Sequence, residues 1–144
     1  MSDSNRNPVN EGAYTAGNGN NIFDLNELSG ILTGKKYSSA FGPVVEGQRT
    51  QVGLMRKEKG TGAKPHSHPN EQWNYVVQGK LRVTIEDEER IVGPGTLLYF
   101  PPNVTHCTVA EPEEDVYFFV VKDMTHGIQG NLAEGYAEGP VTNN

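Results

Sequence analysis

The sequence has little cysteine, no long apolar run and an excess of acidic over basic residues. Cys107 is the one cysteine in 144 residues, so no disulfide can form within the chain. No apolar run approaches the ~20 residues of a transmembrane helix, and the first residues lack the pattern of a signal peptide. The formal net charge of −6 disfavours nonspecific binding to nucleic acid or anionic lipid. We therefore expect a cytoplasmic protein with neither a nucleic-acid nor a membrane partner.

Both ends of the chain are poor in apolar residues. Such composition cannot bury enough surface to offset the entropy lost on ordering. The length fits one domain. We expect a flexible N-terminal arm over 1–21, a single β-barrel domain over 22–126 and a C-terminal tail over 127–144. The ends are either loose or ordered against a partner subunit.

Alternation of apolar and polar residues dominates from Thr50 onward. In LRVTIEDEERI (81–91), Leu81, Val83 and Ile85 share one face, and the acidic run that follows makes a hairpin turn. The stretch DVYFFVVK (115–122) is apolar on both faces, which predicts a central, buried strand. Short strands separated by regular turn signals predict an all-β sandwich or barrel. Segment 22–32 is either one helical turn or an edge strand.

Histidines are the candidate metal ligands. His66 and His68 stand two residues apart in GTGAKPHSHPNEQWNYVVQG (60–79). Alternate residues of a strand point to the same face, so both imidazoles can reach one ion. His106 joins them if its strand returns beside the first. An isolated histidine near a strand end is usually an ordinary surface or core residue, so this interpretation depends on context.

The spacing around these histidines resembles the two motifs of the cupin superfamily. The first motif, over 60–79, reads Gly60, five residues, His66-Ser67-His68, three residues, Gln72, six residues, Gly79. The second, over 95–110, reads Gly95, five residues, Pro101-Pro102-Asn103, two residues, His106, three residues, Ala110. Asn103 can replace a turn glycine because asparagine tolerates the left-handed conformation. The resemblance implies a double-stranded β-helix, the jelly-roll barrel of cupins, with extended N- and C-terminal arms.

The register of the first motif separates Glu71 from Gln72. The glutamate of the usual cupin pattern stands seven positions before the closing glycine, and here that position is Gln72. Parity along the strand agrees, so Glu71 should point toward solvent or a partner. The predicted metal ligands are therefore His66, His68 and His106, with the amide oxygen of Gln72 as a weak or outer ligand.

A metal ion held by neutral ligands keeps its full charge and favours an anionic ligand such as an enolate, catecholate, hydroxycarboxylate or uronate. Three ligands on one side leave open positions, as in catalytic sites. Imidazole suits several metals. We predict one divalent ion per subunit, with Fe(II) ahead of Mn, Ni and Zn.

Three functions fit this site, since one fold supports many chemistries. The first is a metal-dependent dioxygenase acting on a small enolisable or aromatic substrate, because three-histidine iron dioxygenases also lack the carboxylate. The second is a non-redox isomerase or lyase acting on a sugar acid, because some sugar-isomerising cupins resemble the HSHPNEQ stretch. The third is a cupin that binds a small molecule without turnover.

Further residues are weaker candidates. Arg56 shares the parity of Val52 and Leu54, so it either points into the barrel to hold a substrate carboxylate or is an exposed arginine. Asn74 and Thr108 share the faces of Gln72 and His106 and are predicted to line the pocket. His126 is either an acid or base at the barrel mouth or a surface histidine.

A homodimer is expected from the resemblance, since cupins often dimerise. Segment 22–45 carries apolar residues without an obvious place in a minimal barrel. Trp73, Tyr75 and Tyr99 have the opposite parity to the predicted pocket residues. They are expected to pack between sheets or at the dimer interface.

Overall fold

The computed structural model describes residues 7–142, which form thirteen short strands and one 3-10 turn at Leu25–Glu27. The strands are β1 Tyr14–Thr15, β2 Ile31–Leu32, β3 Phe41–Gly42, β4 Val44–Glu46, β5 Thr50–Lys57, β6 His66–Ser67, β7 Gln72–Gln78, β8 Leu81–Ile85, β9 Glu88–Val92, β10 Leu97–Phe100, β11 His106–Ala110, β12 Val116–Asp123 and β13 Asn131–Leu132. Within this part of the chain, no helix is long and apolar enough to cross a membrane. The all-β prediction is confirmed.

Two sheets build the barrel. The larger follows the order β1-β4-β5-β12-β7-β10, with β3 paired to β5 and β2 to β3. The smaller follows the order β13-β6-β11-β8-β9. Nearly all pairs are antiparallel, and neighbours such as β5 and β12 are far apart in sequence. This is the jelly-roll arrangement that the resemblance to cupins implied.

The core lies between the sheets. β12 pairs with β5 on one side and β7 on the other, so the prediction of a central strand is confirmed. Its inward residues Val116, Phe118 and Val120 join Val76 and Phe100 in the buried cluster. Each fully buried apolar side chain of this size contributes roughly 1.5–3 kcal/mol. The hydrophobic core therefore holds the two sheets around the site.

Both segments expected to lie outside the barrel contribute to it within the described residues. Asn10 is buried, and its side chain bonds Glu46 and Gln51 on neighbouring strands. Asn10 Oδ1 also accepts the backbone N–H of Ile128 at 2.7 Å, which ties the two ends of the chain together. Ile128 is 1% exposed. The polar composition gave no sign of these contacts, because hydrogen bonds rather than apolar contacts hold much of the N-terminal segment against the barrel.

Segment 22–32 contains both of the predicted alternatives, a helical turn and a strand. A 3-10 turn over Leu25–Glu27 is capped by Asp24, whose side chain accepts the backbone N–H of Asn26. The segment then ends in β2, which pairs with β3. Asn103 has φ +66°, which agrees with its predicted place in a left-handed turn.

The inward face of β5 is the opposite of the one expected. Met55 and Lys57 are buried, whereas Val52 and Leu54 are half-buried and Arg56 is exposed. A side chain at Gly53 would come within 3.0 Å of the carbonyl oxygen of Pro43, so this inner position excludes one. Hydrophobicity alone therefore indicates the wrong face of this strand.

Candidate metal centre

Strand pairing brings the three histidines together. His66 begins β6 and His106 begins β11, and the two residues are direct partners in the antiparallel pair. His68 follows β6 directly and points to the same interior. Nitrogen atoms of the three rings lie within 4.8 Å of one another, and all three residues are buried. The pairing of β6 with β11 thus brings the histidines of the two sequence motifs into one cluster.

Hydrogen bonds fix the tautomer of each ring. The Nδ1 atoms of His66, His68 and His106 lie 2.7, 3.1 and 2.9 Å from backbone carbonyl oxygens. A carbonyl can only accept, so each Nδ1 carries the proton and each Nε2 presents a lone pair. The Nε2 atoms of His68 and His106 are buried and have no hydrogen-bond partner among residues 7–142. Buried orphan acceptors in a converging set are the arrangement of a metal site, so these residues fit a divalent ion.

Burial keeps the imidazoles neutral. Desolvation lowers the pKa of His68 to about 4 and that of His106 to about 3. It also lowers the pKa of His66 well below its ordinary value, and the neighbouring His106 adds to this effect. Neutral imidazole is the form that binds metal ions.

Aromatic rings hold two of the histidines in place. Tyr37 stacks on His66 with ring centroids 4.0 Å apart, and Phe100 stacks on His106 at 4.4 Å. The Tyr37 hydroxyl accepts the backbone N–H of Gly130 at 2.8 Å, and burial raises its pKa to about 12. Tyr37 was not singled out from the sequence, because it lies in a segment without a strand pattern.

The structure separates Gln72 from Glu71. Gln72 is buried and lines the cavity with His66 and His106, while Glu71 is exposed and accepts a hydrogen bond from the hydroxyl of Tyr99 at 2.8 Å. The Gln72 Nε2 donates to Asn74 Oδ1 at 2.7 Å, so Asn74 orients this amide. Coordination of an ion by Gln72 stays a prediction.

The barrel interior encloses a cavity of about 50 Å³ beside the histidines. Asn74 and Thr108 line it as predicted. No aspartate or glutamate is among the lining residues of the described chain, which are Thr33, Gly34, Tyr37, Ser38, Ala40, Met55, Lys57, Ala63, His66, Gln72, Asn74, Phe100, His106, Thr108, Phe118, Val120, Lys122 and Ile128. The interior is therefore short of negative charge.

Two buried lysines line this cavity, and sequence reasoning missed both. Lys57 Nζ donates to Thr108 O at 2.7 Å and to Thr108 Oγ1 at 2.5 Å. Lys122 Nζ donates to Ile128 O at 2.7 Å. Desolvation lowers the pKa of each lysine to about 7. The only available signal was strand parity. Lys57 lies on the same face of its strand as Met55, and Lys122 lies on the same face as Val120 and Phe118.

Two predicted site residues lie elsewhere. Of the two alternatives left open for Arg56, the structure shows the exposed arginine, whose guanidinium forms an ion pair with Asp115 at 2.7 Å. It stands on the outer face because β5 has the opposite parity to the one assumed. The His126 side chain is exposed and is not among the cavity residues, whereas its backbone carbonyl accepts from Gln51 and Asn70.

Comparison with known proteins agrees with this architecture. The model of the cupin domain family matches residues 53–122. A cupin-like protein of known structure from Thermotoga maritima is 30% identical, with a TM-score of 0.51, over 59% of this chain and 68% of its own. The chain belongs to the cupin superfamily. The matched region of this cupin contains all three clustered histidines and both buried lysines.

Curated relatives of this cupin are much longer proteins. Oxalate decarboxylase OxdC from Bacillus subtilis is 36% identical over 74 residues, which cover 48% of this chain and 19% of OxdC. Its W→F variant of known structure has a TM-score of 0.59 at 28% identity over 70% of this chain and 28% of its own. Mannose-1-phosphate guanylyltransferase ManC from Salmonella typhimurium is 38% identical over 63 residues, 42% of this chain and 13% of ManC. The sequence matches thus cover under a fifth of either relative, and the structural match covers 28% of oxalate decarboxylase.

Proposed function

We propose that this cupin is a mononuclear metal-dependent enzyme acting on a small anionic substrate. The observation that carries the proposal is the cluster of three buried imidazoles, two of which, His66 and His106, line a cavity with two lysines and, among the described residues, no carboxylate. His66, His68 and His106 would hold one divalent ion, with Gln72 beside them. When bound, the ion supplies Lewis acidity and, in the case of iron, redox chemistry.

The chain's own residues account for substrate binding and for the exclusion of water. Lys57 and Lys122 attract negative charge into the interior, and Asn74 and Thr108 offer hydrogen bonds at its wall. Phe100 and Phe118 give the wall an apolar part. The cavity volume of about 50 Å³ favours a small substrate.

Our first reaction class is a dioxygenase with Fe(II). Neutral histidine ligands leave the negative charge to be supplied by the substrate, as expected for an enolate or a catecholate. We expect anaerobically purified, untagged protein to contain stoichiometric iron by ICP-MS and to consume dioxygen with a diketone, catechol or hydroxybenzoate. Iron without oxygen uptake across this panel would contradict the dioxygenase.

The second candidate is a non-redox lyase or isomerase that acts on a small carboxylate or sugar acid. Two features favour it: the similarity to oxalate decarboxylase, and two buried lysines with pKa values of about 7 that are placed to exchange protons with a bound ligand. Manganese, nickel or zinc in the purified protein, with product formation and no oxygen uptake, would establish it. Protein that purifies without metal would favour a binding module.

We further propose a homodimer formed by the outer face of β7 and β10. Trp73, Tyr75, Leu97 and Tyr99 are each more than a third exposed there, and the Trp73 and Tyr99 rings lie 4.5 Å apart. β10 is also the edge strand of the larger sheet. In segment 22–45, Tyr37, Ala40 and Val44 are buried within one chain, whereas Ile22, Leu32 and Phe41 are exposed.

Light scattering after size exclusion should give twice the chain mass of 15.8 kDa. Trp73→Lys should shift the protein to a monomer because it places a charge in the apolar contact. A wild-type mass of 15.8 kDa would rule out the dimer.

A further inference from the structure

The two buried lysines are the one feature of the cavity that a three-histidine metal site does not require. Both side chains are buried, with 3% exposure for Lys57 and 5% for Lys122. Each makes hydrogen bonds only to neutral oxygen atoms in the described residues, and neither is in an ion pair there. Buried charges are normally paired, so the missing counter-charge needs an explanation.

The lysines approach the cavity from opposite ends. Lys57 stands beside Val116 at the start of β12, and Lys122 lies six residues further along that strand, opposite Gln51. Six residues of extended strand span about 20 Å between Cα atoms. Both lysines line the cavity together with His66 and His106, and both ammonium groups lower the pKa values of these two histidines.

Both ammonium groups have donors left for a ligand. An ammonium group offers three N–H donors. Lys57 uses two of them on Thr108, and Lys122 uses one on Ile128. One donor of Lys57 and two of Lys122 thus remain within the described residues, on side chains that line the cavity.

We propose that Lys57 and Lys122 select a substrate with two anionic groups, one held near each end of the cavity. The ligand class is a short dianion such as a dicarboxylate of three or four carbons. This inference deepens the proposed function and names its substrate class. The lysines are specificity-determining residues, and the dianion supplies the negative charge that no cavity-lining residue provides. Its entry favours the charged form of both lysines, because a nearby opposite charge raises their pKa.

Ligand pairs of matched size test the charge requirement. Malonate and succinate carry two carboxylates, while malonamate and succinamate replace one carboxylate with a neutral amide of similar shape. We expect metal-free, full-length protein to bind at least one of the two dianions about ten- to a hundredfold more tightly than its monoamide in isothermal titration calorimetry, since each charge-assisted hydrogen bond is worth about that factor. Equal affinities for both pairs would overturn the proposal.

Lysine variants assign the effect to the two side chains. Lys57→Met and Lys122→Met remove one charge each while keeping a similar shape, and each should reduce the dianion preference to about onefold. Lys36→Met, at an exposed position, should keep the wild-type preference. A preference that survives in Lys57→Met and Lys122→Met would overturn the assignment. If either variant fails to fold, the wild-type ligand comparison still decides the proposal.

Metal-free protein separates this test from that of the proposed function. A lysine-dependent preference for dianions in protein that never binds metal would support the dianion site and contradict the metal enzyme. Stoichiometric metal with no such preference would support the metal enzyme and overturn the dianion site.

Discussion

His66→Ala protein is expected to purify without stoichiometric metal. The change removes one of three converging imidazoles and leaves two ligands, which is too few for a stable mononuclear site. It also removes the ring that stacks on Tyr37, so the backbone around the site loses a packing contact. We expect at least ~100-fold weaker binding of zinc or iron, beyond the 10–100-fold effects of changes around the ligands. ICP-MS after dialysis, with competition against a chelator for the affinity, measures it.

Two variants give this experiment its controls. His126→Ala removes the fourth histidine, whose side chain is exposed, and should bind metal like the wild type. Gln72→Ala should weaken metal binding less than His66→Ala, because it removes at most a neutral amide oxygen. Circular dichroism must show that each variant is folded. Retention of stoichiometric metal in folded His66→Ala protein would mean that the ligand set is wrong.

The positions of most strands after Thr50 were predictable because alternation and turns are local signals. The hairpin of β8 and β9 and the central place of β12 follow from apolar patterns that read directly as burial. The histidine cluster was also accessible, since the spacing of His66, His68 and His106 is fixed by the pairing of β6 with β11. In these places the local sequence pattern agrees with the pairing of the strands in the folded sheets.

The buried lysines could not be found in this way. Sequence patterns assign charged residues to the surface, which hides a buried lysine, and they assign apolar residues such as Val52 and Leu54 to the interior. The structure has Met55 and Lys57 inside instead. A strand that mixes apolar residues on both faces loses the signal of its register. Such a departure from the hydrophobic pattern is expected where function requires it.

Tyr37 and the two chain ends were missed for a different reason. Their positions depend on contacts across long sequence separations, such as Tyr37 with Gly130 and Asn10 with Ile128. No short-range pattern of apolar and polar residues predicts such contacts. Only the folded barrel brings these partners together.

Lys57→Met is expected to raise the stability of the metal-free protein at neutral pH. Lys57 has a pKa of about 7 in the fold and 10.5 as its ordinary value. At ~1.4 kcal/mol per pKa unit, burying this protonated group costs at most ~5 kcal/mol, and we expect ~1–4 kcal/mol to return with methionine. Thr108 O keeps a second donor, the backbone N–H of Ala63 at 2.9 Å, so the variant leaves no unpaired carbonyl there. Urea unfolding at pH 7 measures the difference.

The pH dependence identifies desolvation as the cause. The unfolded chain keeps the Lys57 proton up to about pH 10.5, whereas the fold releases it near pH 7. Unfolding of the wild type therefore takes up a proton between these values, and its stability rises with pH across this window. The advantage of Lys57→Met should be largest at pH 7 and below and should shrink toward pH 10.5. Lys36→Met, which changes an exposed lysine, should stay within ~0.5 kcal/mol of the wild type throughout.

The direction of this change decides between two roles for the lysine. If Lys57 serves as a structural cross-link to Thr108, the Lys57→Met protein should unfold more easily than the wild type at pH 7. That outcome would contradict our expectation that the substitution stabilises the protein. A charge kept for ligand binding predicts a more stable protein that has lost its preference for dianions. Natural proteins retain destabilising groups mainly where activity requires them. A stabilised variant that no longer discriminates malonate from malonamate or succinate from succinamate would therefore place Lys57 in the substrate site rather than in the framework of the barrel.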